Sequence, residues 1–336
     1  MRAFILRRLL ILPVLLIGIT ALTFAVSRLS PVDPVTAALG DIAATHPEIV
    51  AQYKERWGLD RPLVTQYVIY LTRLARGDLG VSLTSHQPVR TDLFEYFPAT
   101  MELATAALIV AAFAGCLLAV AGILSRPMVS HLLEWLSVVQ VSIPVFWLAL
   151  TVLTLVDLHL PSVPTGGQLD PGVTMPPHHT GLVVVDAMIT GRWATVGNAV
   201  VHLIVPTLVL ASYWVGVVSI LLRGTLEETL RTDYVRTAFG KGLTGYRIVL
   251  RHALKNAAIP VVTLLGVLYG QLLGGTILIE SIFSWPGLGF YAYQAATNID
   301  FPGIMGVTLT VAVSFVFINL LIDTIYVMID PRLRFD

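Results

Sequence analysis

Residues 201–260 read VHLIVPTLVLASYWVGVVSILLRGTLEETLRTDYVRTAFGKGLTGYRIVLRHALKNAAIP. From Val201 to Leu222 the stretch carries no Asp, Glu, Lys or Arg. About 20 residues of such helix cross roughly 30 Å of hydrocarbon. From Arg223 the character changes: seven basic residues follow up to Lys255, and a new apolar run opens at Ala257. A membrane span therefore runs into a basic loop that returns to the membrane. Working outward from it, five further runs have the length and polarity of spans: Leu9 to Ser27, Met101 to Leu124, Leu132 to Leu158, Ala257 to Glu280 and Ile304 to Met328. The expected fold is an all-α membrane protein with six transmembrane helices.

Composition agrees. Of the 336 residues, 56% are hydrophobic and only 12% charged, about half the charged share of an ordinary soluble domain. Too few charges are present to cover a water-facing surface, so lipid must cover it. The 21 basic and 21 acidic residues cancel, which leaves no electrostatic footprint for nucleic acid. Cys116, the single cysteine, lies within an apolar run and excludes an intrachain disulfide. Arg2, Arg7 and Arg8 before the first run resemble the start of a cleaved leader, but the run is long and five more follow, so it reads as a retained anchor.

Six spans put both termini on one side. With the termini inside, 13 of the 21 basic residues fall in the inner segments, which are much shorter in total than the outer ones. The positive-inside rule then places both termini and the Arg223–Lys255 loop in the cytoplasm. The chain divides into the N-terminus and first span (1–29), a helical outside insertion (30–99) and a five-span core (100–336) whose inner loop covers 223–256.

Within the insertion, Ile49, Tyr53 and Trp57 share one face of an expected helix over Pro47–Trp57 that Gly58 stops. Val64, Tyr67, Leu71 and Leu74 do the same over Pro62–Arg76, with Gly77 as the stop. Such a pair serves as a cap on the membrane or as a docking surface. Pro161 to Asn198 is rich in Pro and Gly and reads as loop; His178 and His179 there have no third ligand at metal spacing.

The inner loop is where function is most legible. Asp233 is placed to cap a short helix bearing Tyr234, Val235 and Ala238, and Gly240 and Gly242 permit a sharp turn or a close approach by another backbone. A surface helix pair of this kind cannot bury its outer face alone and needs a partner or the headgroup layer. Asp233, Tyr234, Arg236, Thr237, Ala238, Lys241, Gly242 and Leu243, followed by His252, Ala253, Leu254, Asn256, Ala257 and Pro260, resemble the EAA loop of ATP-binding-cassette importer permeases in the peptide and nickel branch. Arg236 and Thr237 replace the Glu and Ala of the general pattern, Lys255 stands where a later Pro would be, and Phe239-Gly240 where the branch often has Arg-Ala. The resemblance extends to Pro31-Val32-Asp33-Pro34, Gly58-Leu59-Asp60-Arg61-Pro62, Gly77-Asp78-Leu79-Gly80, the run Glu280 to Gly289 and Asp330-Pro331-Arg332-Leu333-Arg334. It is strongest to the first permease subunit of dipeptide systems.

That resemblance implies a type I importer permease working with a homologous second permease, two P-loop ATPase subunits and a periplasmic solute-binding protein. ATP and Mg belong to the ATPase partners, and no cofactor is expected on this chain. Its own residues agree, since Gly240-Lys241-Gly242 does not complete a GxxxxGK[ST] loop and no acid, base and nucleophile converge at membrane depth. An ATP-independent secondary transporter is the rival class, but its midplane ionisable groups and repeated halves are not evident. Polar residues inside the spans mark a candidate path at Tyr213, Gln271, Asn319 and Asp323, each also suited to interhelical hydrogen bonding. Phe283, Trp285, Pro286 and Gly287 mark a candidate contact for the binding protein, with an interfacial aromatic belt as the alternative. The resemblance leaves dipeptides, longer peptides, nickel chelates, glutathione and sugars open as cargo.

Overall fold

A computed structural model describes residues 2–29 and 46–329, with side chains over 13–29 and 46–322 apart from 53, 56 and 57. The motifs at 31–34 and 330–334, and the side chains of Tyr53, Trp57 and Asp323, lie outside the described residues. The helices are α1 (Arg2–Leu29), α2 (Pro47–Trp57), α3 (Leu63–Leu74), α4 (Val89–Leu124), α5 (Pro127–Ser142), α6 (Val145–His159), α7 (Val183–Ile189), α8 (Trp193–Leu230), α9 (Asp233–Gly240), α10 (Gly245–Gly275), α11 (Ile277–Ile282), α12 (Leu288–Thr297) and α13 (Phe301–Ile329). α10 opens through a π-helical stretch, Ile248–Ala253. The fold is the expected all-α membrane bundle: α4, α8, α10 and α13 are each long and apolar enough to cross, α1 supplies a further apolar helix, and α5 with α6 makes a sharply bent apolar pair.

The structure departs from the sequence reading here and in Pro161 to Asn198, where α7 and the start of α8 lie in a segment read as loop. The run from Leu132 to Leu158 is not one helix, because its halves meet at 100°. Pro144 has no N–H to give the preceding turn, and its ring drives Ile143 out of the helical region to φ −87°, ψ 124°. Pro98, Pro206 and Pro260 sit inside continuous helices.

The bundle is built around α4 and α8. Ala104, Ala107, Ala111, Gly115, Ala119 and Gly122 recur every three or four residues and form a buried ridge of small side chains along α4. A Cβ added at Gly115 would stand 2.7 Å from Val218 Cβ on α8, so the two backbones touch there. Membrane helices gain little from excluding lipid and associate through such close packing. Gly216 likewise lets α8 meet α5, where an added Cβ would lie 2.6 Å from the Ser137 carbonyl oxygen. Beside it the Ser137 hydroxyl donates to Ser219 Oγ at 2.8 Å.

Candidate functional site: the loop helix between α8 and α10 and the turn held by Glu280

In the loop between α8 and α10, α9 begins one residue earlier than the sequence suggested. Thr232 is the extended cap residue and Asp233 the first helical one, because the Thr232 hydroxyl is engaged with Thr229 O at 2.6 Å and the backbone turns there. Asp233 therefore acts on the helix dipole. Its 3.6 Å pair with Arg236 is exposed and contributes little. Val235 and Ala238 face inward onto Ile248, with Leu230 and Leu243 around them. The Asn256 amide donates to the Tyr234 hydroxyl at 2.8 Å and ties α9 to the start of α10.

The end of α9 is a Schellman turn. The Gly242 N–H donates to Phe239 O at 2.9 Å and the Leu243 N–H to Ala238 O at 3.4 Å, with Leu243 packed back on the small core. Gly242 has φ +79°, which is why glycine stands there. A Cβ at Gly242 would meet nothing within 4 Å in this chain. Around the same element Tyr234, Phe239 and Tyr246 are about half exposed and Lys241 is exposed. The structure thus brings Asp233 to Leu243 together as one short helix and turn, with a packed inner side and an aromatic, basic outer side.

The outer end corrects the reading of Phe283 and Trp285. Both rings are 1% exposed, so neither a docking partner nor a lipid interface reaches them. Gly287 is buried and Pro286 half-buried. Trp285 Nε1 donates to Ala99 O at 2.9 Å, and Phe283 and Trp285 are part of the main apolar core. Among the aromatics from Phe283 to Tyr293, Tyr293, on α12, is the exposed one.

What fixes this turn is Glu280, whose role the sequence reading missed. Its carboxylate is fully buried and accepts from Thr100 Oγ1 (2.7 Å), Thr276 Oγ1 (2.6 Å), Gly289 N (2.7 Å) and Phe290 N (3.1 Å). A Cβ on Gly287 would collide with that carboxylate. Four more acidic side chains do similar work nearby. Asp92 accepts from Ser85 Oγ and Tyr291 OH, Glu102 from Val184 N and Gln168 Nε2, and Asp300 from Ser82 Oγ, Thr84 N and Gly303 N. Asp186 accepts from His179 N, Thr180 N, Thr180 Oγ1 and Gly181 N. His202, also buried, holds Gly166 and Gly167 by Nδ1 and Asp170 by Nε2, and Gly167 N in turn donates to Phe283 O. Acidic residues in a turn-rich outer segment are the visible signal; their partners lie as far as 218 residues away in sequence.

Asp186 makes this scaffold acid-sensitive. Burial pushes its carboxyl up, but the backbone and hydroxyl donors of the Thr180 turn outweigh that and hold it below the ordinary carboxylate value. A carboxyl depressed on folding stabilises the folded state above its unfolded pKa of about 3.9, and loses that contribution as pH falls through the lower folded value. Relative to an unstructured peptide at the same pH, hydrogen exchange at His179–Gly181 should therefore speed up below about pH 4. In Asp186→Asn it should be fast at neutral pH as well; unchanged protection in that variant would remove Asp186 as the anchor.

Of the candidate path residues, the three with described side chains, Tyr213, Gln271 and Asn319, are not hydrogen-bonded to one another. Tyr213 stacks edge-on against Trp214 at 4.7 Å, Gln271 is exposed, and Asn319 donates to Phe315 O of its own helix at 2.9 Å.

The described helices form a bundle of apolar crossings, braced by buried polar groups around Glu280 and carrying a helix-and-turn platform in the loop between α8 and α10. The family model described as "Binding-protein-dependent transport system inner membrane component" matches residues 104–335, and its N-terminal companion matches residues 1–104; the chain belongs to this family of multi-pass inner-membrane permeases. A probable D,D-dipeptide transport system permease of Escherichia coli is 40% identical over 94% of this chain and 93% of its own length. A dipeptide transport system permease of Alkalihalophilus pseudofirmus is 39% identical over the whole of both chains. A di/tripeptide transport system permease of Pseudomonas aeruginosa is 39% identical over 99% of each.

Proposed function

We propose that the chain is one of two homologous permeases in an ATP-driven importer of dipeptides or short peptides, fed by a periplasmic binding protein and powered by two separate ATPase subunits. The observation that carries the reading is the platform Asp233–Leu243, which packs onto Ile248 and has an outer face of aromatics left exposed among the described residues. A half-exposed aromatic surface on a short helix suits a groove on a soluble partner. ATP and Mg are held by those partners, and this chain performs no chemistry of its own. Peptide as the cargo is supported by the three relatives named above, whose systems carry dipeptides or tripeptides. Gln271, exposed on a crossing helix, is costly against hydrocarbon and faces the second permease or the aqueous path. Tyr213, Asn319 and Asp323 are assigned to the same path.

Uptake of a labelled dipeptide by membranes holding the assembled system tests the cargo, and failure to compete by peptides of any length would overturn it. Orientation is tested separately. In a Cys116→Ser background, cysteines at Thr45 and Thr244 should react with an impermeant maleimide from opposite faces, Thr45 from outside. Labelling of both from outside would sink the assignment of the termini to the cytoplasm.

A further inference from the structure

His202 is 4% exposed, so its ring nitrogens must find their partners within the chain. Nδ1 lies 3.0 Å from Gly166 O and 3.2 Å from Gly167 O, and Nε2 lies 3.1 Å from Asp170 Oδ1. Carbonyl and carboxylate oxygens only accept. Both ring nitrogens must therefore donate, and only the imidazolium carries two N–H groups. Turning the ring over would set carbon atoms against all three oxygens. The other way to match Nε2 is a protonated Asp170, which its surroundings oppose: donors from Asn198 and His202 hold the Asp170 carboxyl below the ordinary carboxylate value. That side chain is half exposed, its second oxygen accepts from Asn198 Nδ2, and its own N–H donates to Asn198 Oδ1 at 2.9 Å.

The ring joins three parts of the chain. His202 stands on α8, Gly166 to Asp170 belong to the connection between α6 and α7, and Gly167 N donates to Phe283 O at 3.1 Å, just past the end of α11. Val163 of the same connection packs on the apolar core that holds Phe283 and Trp285. An open cavity of about 400 Å³, lined by Pro161, Pro164, Asp170, Trp193 and Asn198 among others, lies alongside and gives a proton its way to the ring. Among the described residues Asp170 is the charged group in contact with that ring. Other charges hold neighbouring parts of the connection: Glu102 on α4 accepts from Gln168, Asp157 on α6 accepts from Thr165, and Arg192 before α8 donates to Thr174 and Met175 O. Asp186 and Glu280 hold the turns on either side. Carboxylate contacts weaken toward acid and an imidazolium contact toward alkali, so the direction of a pH response tells them apart.

We propose that His202 is a proton-operated latch. Charged, it fastens residues 166–170 to α8 and, through Gly167, to Phe283; neutral, it must release either the two glycine carbonyls or Asp170. The closed latch needs a proton that the released segment does not, so it is complete on the acid side of the histidine range and opens as pH rises. Import should weaken in alkali as a result, and that consequence alone rests on the function proposed above.

The test uses the full-length chain in its assembled complex, in nanodiscs, with nitrogen-15 in the histidine rings. The His202 signals, assigned by their loss in His202→Gln, should show two protonated ring nitrogens at about pH 6 and one at about pH 9. A bare ring nitrogen at about pH 6 would overturn the latch. Exchange at the Gly167 and Asp170 amides, taken relative to an unstructured peptide at the same pH, should speed up about tenfold over that range. Asp170→Asn, whose amide can donate to a neutral ring, should keep the protection and lose its pH dependence. Protection that is flat with pH in the parent, or a pH dependence unchanged in Asp170→Asn, would overturn the latch as well. Dipeptide uptake by the parent, divided by uptake by Asp170→Asn, should fall about threefold over the same range, and a flat ratio would overturn the regulatory role. The ring and exchange readings hold whether or not the cargo is a dipeptide.

Discussion

A complex carrying Gly242→Asp is expected to insert and assemble, to hydrolyse ATP, and to import almost nothing. Among the described residues there is room for the change, since a Cβ at Gly242 meets none of their atoms within 4 Å. Asp and Asn are also the side chains that best tolerate the left-handed backbone of this turn. Any large loss must therefore come from a surface that approaches Gly242 from outside the chain. Burying an unpaired carboxylate there costs about 2–5 kcal/mol, enough to lower import some thirtyfold or more. Gly242→Asn separates charge from bulk, because it keeps the backbone and adds no charge, and it should retain more import than Asp. Gly242→Val disfavours φ +79° and should unravel the Schellman turn even without a partner. If Asp and Asn both import at the parent rate, Gly242 is a turn residue only and coupling lies elsewhere on the platform.

The same loop shows how far residues alone carry the reading. Asp233 to Leu243 was legible because every relevant spacing is local: a helix of eight residues, a glycine at its end and a leucine that folds back onto it. The crossings and the helices α2 and α3 were legible for the same reason, as periodic apolar faces between stop signals. The outer turn was not. Phe283 and Trp285 in a Pro- and Gly-rich segment have one composition whether they dock a protein, float at an interface or fill a core. The choice is made by Ala99 and Thr100, about 180 residues earlier in the chain, through bonds to Trp285 and Glu280. Glu280 itself looked like the end of a span, since nothing near it in sequence reveals four converging donors. Pro144 can bend a helix, but nothing near it in sequence gives the 100° at which α5 and α6 meet.

Glu280→Leu is expected to be the most destabilising single change at the outer end. The carboxylate accepts with both oxygens, two hydroxyls on one and two backbone N–H groups on the other, and no buried cation accompanies it among the described residues. Leucine fills most of the space but strands four buried donors. The hydroxyls of Thr100 and Thr276 can turn to other acceptors, whereas the amides of Gly289 and Phe290 are fixed by the backbone. At about 1–3 kcal/mol for each stranded group, the fixed pair alone removes about 2–6 kcal/mol. Glu280→Gln keeps one accepting oxygen but points an NH2 at donors, and should fall between Leu and the parent. Trp285→Ala should cost about 3–5 kcal/mol through the cavity it leaves. Both Glu280→Leu and Trp285→Ala should lower the thermal midpoint of the detergent-solubilised complex and the amount recovered from membranes. Tyr293→Ala, at an exposed ring on the same turn, should leave that midpoint unchanged and alter only ATPase stimulation by the binding protein, if that protein meets this end. A parent-like midpoint for Glu280→Leu would show that the turn is held by Trp285 and its neighbours alone.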